Sequence, residues 1–577
     1  MSGIGGWMRR GVTLAGLAML GACAHPGARP ADGAASVGTL QIIAFNDFHG
    51  HIAAEDQKTA PPGSPADAPR VAAGGAVHVA AAIARLRAEN PASAVVSAGD
   101  IIGASPLISG HFLDEPTIRV MNDIGIDFNA VGNHEFDRGQ DELRRIQSGG
   151  CARYTLLEPC QVMPDFPGAR FRFLAANSVQ ADGSTLFPAY GVKDVSIGGR
   201  SVRIGFIGLT LEGTAQIVSP RAVAGVHFMD EAATANALVP VLRGQGAQIL
   251  AILIHQGGNM PGNGAPGDCT ALTGDLNPIL AKLDPAFDLV ISGHTHQSYV
   301  CDYAAVDPAR PFLVTSAGQY GTLLTRITLR YDFAAHRLVG KSARNILVTQ
   351  DAADDRTQAR IAGLVARYRD AAAAVADAPA GTLTGALTKQ DDGTGQSTLG
   401  NFIADAQLAA MAAPEKGGAQ IAFMNWGGLR APITPGADGV VRFGDLYAAQ
   451  PFGNLLVVKA LTGAQIRAAL EYQFARQQER MLMSVSHGFS YAFDASRPAG
   501  ARVSDIRLDG RPIEESATYR VAMSNFMAQG GDGFTVFTDA PLVAEGDSDI
   551  DALRIYVGAV PNRAPPALDR IRNLTPR

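Results

Sequence analysis

At 577 residues the chain exceeds the size at which a single hydrophobic core stops growing, so two domains of roughly 200–300 residues are expected. Apolar residues make up 47% and charged residues 18%, with no apolar run of about 20 residues beyond the N-terminus, which excludes a polytopic membrane protein. A formal net charge of -6 excludes the basic surface that nucleic-acid polymers require, while small anionic substrates stay open because a metal site supplies its own positive charge.

Residues 1–22 read as an export address. Arg9 and Arg10 precede the apolar run Gly11 to Leu20, which is too short to span a bilayer. The run continues into Leu20-Gly21-Ala22-Cys23, which resembles the lipobox of bacterial lipoproteins. That resemblance implies a lipid on Cys23, membrane attachment through that lipid alone, and a periplasmic or outer-membrane location; Ala24, in place of Asp, favours the outer membrane. Residues 23–37, rich in Ala, Gly and Pro, form a flexible tether. The remaining cysteines, Cys151, Cys160, Cys269 and Cys301, are an even set in an exported chain and suggest two disulfides. Three connectivities are open, and proximity favours Cys151 with Cys160 and Cys269 with Cys301. No pair has the close spacing of a structural zinc site.

From 38 to 350, short β-branched apolar runs alternate with helical patterns, as in an α/β domain. Leu40 to Phe45 runs into Asn46-Asp47-Phe48-His49, and Ala94 to Ser97 into Ala98-Gly99-Asp100. Phe128 to Val131 runs into Gly132-Asn133-His134, Ile249 to Ile254 into His255, and Phe287 to Ile291 into Ser292-Gly293-His294-Thr295-His296. Five strand-like runs thus deliver metal-capable residues at their C-terminal ends, the edge of an α/β sheet where ligands bind.

Ile361, Leu364, Val365, Tyr368 and Ala372 recur at helical spacing between Asp351 and Asp377, so 351–380 reads as a connecting helix and linker. A second α/β segment, 381–577, is predicted to contain helices from Thr398 to Met411 and from Thr462 to Gln478.

Asp47, His49, Asp100, Asn133, His255, His294 and His296 supply seven nitrogen and oxygen ligands, enough for two divalent ions sharing one carboxylate. Imidazole mixed with carboxylate suits Zn, Mn or Co. Any one of these motifs alone reads as a solvated turn; five at strand ends in this order do not. Asp47-Phe-His49, Gly99-Asp100, Gly132-Asn133-His134-Glu135, His255 and Gly293-His294-Thr-His296 resemble the calcineurin-type metallophosphoesterase motifs. With its long C-terminal domain, the chain resembles the bacterial periplasmic 5'-nucleotidase and UDP-sugar hydrolase family over nearly all of its mature length.

The resemblance implies an N-terminal β-sandwich flanked by helices plus a C-terminal α/β substrate-binding domain. It places Asp47, His49, Asp100 and His296 around one metal, and Asp100, Asn133, His255 and His294 around the other, with Asp100 as bridge. Some family members carry Gln where His296 stands. Two cations about 4 Å apart lower the pKa of a water and neutralise phosphate oxygens during in-line attack. By the same resemblance His134 faces the phosphate, oriented by Asp137, a role worth about two to three decades of rate.

Three landmarks of the second domain also match: Asn425-Trp-Gly-Gly-Leu-Arg430, Pro451-Phe452-Gly453-Asn454, and Asn525-Phe526-Met-Ala-Gln-Gly-Gly-Asp532. They imply a base stacked between Phe452 and Phe526, with Asn425, Arg430, Asn454 and Asp532 on ribose or phosphate. A lone Phe is normally core; the flanking glycines permit close approach of a ligand. One departure stands out. The family commonly places arginines before its helix motif, whereas this chain has Asp391-Asp-Gly-Thr-Gly-Gln-Ser-Thr, with Lys389 as the nearest upstream cation. The function expected is metal-dependent hydrolysis of nucleotide phosphate esters, with UDP-sugars and 2',3'-cyclic nucleotides as further candidates. The alternatives are a sulfate thiohydrolase on the same fold, disfavoured by the Phe pair with Asp532, and a non-catalytic nucleotide-binding surface lipoprotein, disfavoured by the complete ligand set.

Overall fold

The computed structural model describes residues 36–576 apart from 56, 66, 156, 220, 351–355 and 475–481. The proposed leader and most of the tether, Cys23 included, lie outside the described residues. Among them, no helix is long and apolar enough to cross a membrane.

Two sheets face each other in the first half of the chain. One has six strands in the order Arg337–Leu347, Leu323–Asp332, Val37–Phe45, Ser93–Ser97, Phe128–Ala130 and Arg172–Leu174. The other has seven, with Leu289–Ser292, Ile249–His255 and Arg200–Thr210 at its centre. Strand side chains alternate between faces, so Leu40, Ile42 and Ala44 enter the core between the sheets while Ile43 and Phe45 point to the outer helices. Across the sandwich the inward set meets Ile204, Phe206, Ala251 and Leu253. Because both faces of each central strand are covered, Ile249–His255 is buried throughout.

Helices cover both outer faces. Ala76–Glu89 and Glu115–Ile124 pack Val79, Ile83, Ile118 and Met121 against the six-stranded sheet. Glu231–Gly244 packs Ala232, Ala235 and Leu242 on the other. The sandwich with flanking helices is the architecture expected.

The helix Arg356–Ala376 lies on this first unit through Ile361 and Val365, while its Tyr368 and Ala372 form a small cluster with Leu107 and Phe112 of the first unit and Tyr447 of the second. The second unit has a five-stranded sheet built on Ile421–Met424, Thr518–Ser524 and Leu455–Thr462, and a four-stranded sheet that includes Phe489–Phe493. Its helix Thr398–Met411 starts where the Ser397 hydroxyl accepts from the Gly400 N–H, an N-cap. The helix predicted from Thr462 to Gln478 is observed in its first part, and residues 475–478 lie outside the described residues. It runs Gly463–Tyr472 from a capping box of Thr462 and Gln465. The Gln473 side chain turns inward, donating from Nε2 to the Tyr491 hydroxyl at 2.9 Å and accepting the Met483 N–H at 2.9 Å.

Two disulfides join Cys151 to Cys160 and Cys269 to Cys301, with Cα separations of 5.7 and 5.0 Å. The second closes the longer loop, 32 against 9 residues of separation, and both of its cysteines are buried. Constraint of the unfolded chain grows with loop length, so Cys269→Ser/Cys301→Ser should lose about 2–4 kcal/mol of unfolding free energy. Urea titration should show a smaller loss for Cys151→Ser/Cys160→Ser.

Candidate active site

The first three strands that carry the motifs run parallel in adjacent register, Phe45 opposite Ser97 and Ser97 opposite Asn129. In the facing sheet Ile254 pairs with Ser292, also in parallel. All five motif loops therefore leave the same edge of the sandwich. There the backbone is contorted: Asp47, His49, Asp100, His294 and His296 all have positive φ, between 47° and 72°. Non-glycine residues rarely adopt that region, and strain of this kind concentrates at functional sites.

Glycines make the convergence possible. A Cβ on Gly132 would sit 2.1 Å from Oδ1 of Asp100, and one on Gly99 would sit 2.5 Å from Nδ1 of His255. The loops can touch only because neither position carries a side chain.

Asp47, His49, Asp100 and His255 are almost completely buried, and Asn133 nearly so. His49 donates from Nδ1 to the Gly103 carbonyl at 2.8 Å, and His255 donates from Nδ1 to the Ala98 carbonyl at 2.8 Å. Those bonds fix the tautomers and turn each Nε2 lone pair inward, as in metal-ligating histidines. Nε2 of His255 then lies 2.9 Å from Oδ2 of Asp100 yet has no hydrogen-bond partner of acceptable geometry. Nε2 of His49 lies 3.9 Å from Asp47 Oδ1 and 3.7 Å from Asp100 Oδ2, and Nε2 of His296 lies 3.4 Å from Asp47 Oδ1. Two clusters result, Asp47-His49-His296 and Asp47-Asp100-His255, each able to hold an ion. Buried acceptors converging on one another without a proton between them fit divalent cations.

The electrostatics agree. Burial opposes an imidazolium at His255, but the Asp100 carboxylate outweighs it and raises the group to about 10, so a positive charge is demanded there and an ion can supply it. Burial also opposes the Asp100 carboxylate, which His255, His134 and His49 nonetheless hold well below the ordinary range. Asn133 and His294 complete the neighbourhood: Nδ1 of His294 is 3.0 Å from Oδ1 of Asn133, and the His294 N–H donates to the Asp47 carboxylate at 3.0 Å. Asp47 thus reaches both clusters, while Asp100 contacts His49 as well as His255.

Glu135, which stands within the Gly132-Asn133-His134-Glu135 motif but was given no role there, ties these loops together. The Glu135 carboxylate accepts N–H donors from Asp100 at 2.9 Å, Ile101 at 2.9 Å and Gly132 at 2.6 Å. Burial, reinforced by the charge of Asp100, pushes its pKa up to about 8. Beside it His134 donates from Nδ1 to the Asp137 carboxylate, 3.0 Å from each oxygen, which leaves Nε2 free to face the cleft. Burial disfavours the charged ring, but Asp137 and Asp100 more than compensate and raise its pKa.

The cleft is shared by both units. Asn133, His134, Asp137, Ile217, Val218 and His294 line one side, and Asn425, Arg430, Phe452, Asn454, Phe526 and Asp532 the other. The rings of His134 and Phe452 lie 5.9 Å apart and nearly parallel, and the Arg430 guanidinium lies 5.8 Å from the Phe452 ring. Phe526 rests against Gly531, where a Cβ would approach its ring to 2.5 Å. Asn425 donates to Asp532 at 2.7 Å. Lys389 has its ammonium 4.9 Å from the Trp426 ring, and burial together with nearby Arg430 pushes it down to about 8. Asp549 also lines the cavity, although no motif marked it.

Residues 375–539 match the family described as 5'-nucleotidase, C-terminal domain. The chain is 25% identical to Protein UshA of Escherichia coli over 512 residues, 82% of this chain and 84% of UshA. The crystal structure of a 5'-nucleotidase precursor from Thermus thermophilus superposes with a TM-score of 0.72 and 27% identity, covering 93% of this chain and all of that one. The second unit belongs to the 5'-nucleotidase C-terminal domain family, and the chain is similar to 5'-nucleotidases over most of its length. Endonuclease YhcR of Bacillus subtilis is 30% identical over 490 residues, 85% of this chain, but the chain spans only 37% of that larger relative.

In this site the Glu135 carboxylate meets no candidate ligand side chain: it accepts from the backbone N–H groups of Asp100, Ile101 and Gly132 and, at 3.4 Å, from the Asn129 amide. Outer-shell substitutions of this kind typically lower metal affinity about 10–100-fold. Glu135→Gln should do so in calorimetric titration with Mn²⁺ or Zn²⁺, and Asp100→Ala should leave no two-ion binding by elemental analysis.

Proposed function

We propose that the protein hydrolyses the phosphate ester of 5'-nucleotides, holding the nucleoside in the interdomain cavity. What carries this reading is that His134, the candidate ion ligands Asn133 and His294, and the pair Phe452 and Phe526 line one cavity. When bound, a divalent pair at the buried ligands supplies Lewis acidity toward the phosphate and acidifies water. The chain's own contributions follow from position. Arg430 offers a planar fork to phosphate or ribose oxygens. His134, held by Asp137, presents a proton at Nε2 to the oxygen that gains charge as the ester bond breaks. Asp532, steadied by Asn425, accepts from ribose hydroxyls, and the two Phe rings enclose the base.

The Phe pair with Asp532 favours a nucleoside over a thiosulfate conjugate. UDP-sugars and 2',3'-cyclic nucleotides fit the same cavity chemistry and belong in a phosphate-release panel with AMP, run with Mn, Co and Zn. We further infer export and lipid attachment from the Leu20 to Cys23 motif. Cys23→Ala should move the protein from the membrane pellet to the soluble fraction; a variant that stays in the pellet without detergent removes the anchor.

The nucleoside pocket makes a sharp kinetic contrast. Each stacking face is worth about 1–3 kcal/mol, so Phe452→Ala/Phe526→Ala should lower kcat/KM on AMP by about two orders of magnitude or more. On p-nitrophenyl phosphate, which carries no base, the same variant should lose far less. Equal losses on both substrates would mean that the rings serve only packing.

A further inference from the structure

The imidazoles among the candidate ion ligands are not held alike. His49 and His255 are each fixed by a hydrogen bond from Nδ1 to a backbone carbonyl, and Nδ1 of His294 meets Asn133. His296 has no such tether. Its Nε2 faces Nε2 of His49 at 3.2 Å and Oδ1 of Asp47 at 3.4 Å, but among the described residues its Nδ1 has no hydrogen-bond partner. Its side chain is also 26% exposed, where those of His49 and Asp47 are fully buried. A metal-ligating imidazole is ordinarily oriented through its second nitrogen. What surrounds His296 instead is aromatic.

The Tyr320 ring lies 5.8 Å from the His296 ring at 67° and 6.0 Å from the His49 ring at 74°, so it makes edge contacts with both imidazoles of one ion cluster. His51 stacks on the same tyrosine, 3.8 Å away and 25° from parallel. The turn that carries Tyr320, between the strands Leu313–Ala317 and Leu323–Asp332, is moored to the Asp47 loop. Tyr320 donates its backbone N–H to the Asp47 carbonyl at 2.7 Å, and the Asn46 side chain donates to the Gly318 carbonyl and accepts the Ala317 N–H, each at 2.7 Å. Gly318 and Gly321 in this turn have φ of 71° and 67°, and Tyr320 between them has φ 60°. A tyrosine is strained where a glycine is at ease, and a strained residue kept beside a ligand cluster points to a role of its own.

We propose that Tyr320 is the positioning residue for the ion site of Asp47, His49 and His296: its ring, backed by His51, sets the direction of the His296 imidazole in place of a hydrogen bond at Nδ1. The effect is confined to one ion of the pair. The rings of His255 and His294 pack on each other, 5.4 Å apart, and are held by Ala98 and Asn133.

The inference rests on the two-ion reading and not on the substrate, so it is tested without substrate. The full chain, stripped by chelation, is titrated calorimetrically with Mn²⁺, and the wild type should show two sites. Tyr320→Ala should weaken one of them about tenfold, the lower end of what the outer shell of a metal site contributes, and leave the other unchanged. Tyr320→Phe keeps the ring and should bind both ions as the wild type does. His296→Gln keeps an oxygen for the ion but removes the imidazole, and in that background Tyr320→Ala should add little. Unchanged affinities in Tyr320→Ala, equal weakening of both ions, a Phe variant as weak as the Ala variant, or an undiminished loss in the His296→Gln background overturns the proposal. Should Tyr320→Ala not fold, His51→Ala withdraws the stacking partner and should weaken one ion alone; unchanged affinities there overturn it. A wild type that binds no pair of ions overturns the two-ion reading itself, whereas two ions indifferent to Tyr320 overturn this inference alone.

Discussion

Beneath the cleft, the carboxylates of Asp47 and Asp100 face imidazole nitrogens whose own protons are engaged elsewhere, by the carbonyls of Gly103 and Ala98. Lone pairs are thus turned on lone pairs in a region sealed from water. Left alone, such an arrangement is strongly unfavourable, because two like charges interact with about 4 kcal/mol at 4 Å even with an effective dielectric constant of 20. Much of the surrounding fold answers this one constraint. Parallel strands of both sheets bring the loops to a common edge, glycines let them touch, and five of the ligand-bearing residues accept left-handed backbone to aim their side chains. Glu135 fastens the Asp100 and Gly132 loops from behind through backbone donors. Divalent ions that bind the folded chain would then stabilise it by mass action, returning the free energy that preorganising the acceptors costs.

The seven candidate ligands were legible in the sequence because each sits directly after an apolar run, and the C-terminal ends of parallel strands share an edge. The same logic failed for Glu135. Glu135 stands inside the Gly132 to Glu135 motif, but two of its three backbone donors, Asp100 and Ile101, belong to a loop more than thirty residues away, and those bonds depend on how closely two loops approach. Asp549 was hidden for another reason: an acidic residue in the first turn of a helix reads as a favourable charge at the positive end of the dipole. Only packing shows that the residue lines a cavity.

Helix ends divided along similar lines. Thr398–Met411 falls within the predicted bounds, and the Ser397 cap that starts it is a local contact. After Tyr472, Gln473 finds side-chain partners on Tyr491 and Met483, contacts that no local pattern announces. Lys389 falls between these cases. Its charge was visible, and its place over Trp426 beside Arg430 came from the fold alone.

The polarity of the interdomain cavity bears on how a ligand would be oriented. A nucleotide is electrically lopsided, anionic at the phosphate and rich in O–H and N–H donors at the ribose and base. The cavity is lopsided in the opposite sense. His134 comes from the first unit beside the candidate ion ligands Asn133 and His294, while Asp532 and Asp549 come from the second unit, which also supplies Arg430. A nucleotide entering base first toward the ion ligands would set its phosphate against two carboxylates, and repulsion of that kind rejects a wrong pose as effectively as attraction selects the right one. Stacking on Phe452 and Phe526 is indifferent to direction, since every ring has two faces. In the proposed complex it is therefore the distribution of charge, and not the aromatic pair, that would turn the scissile phosphate toward His134.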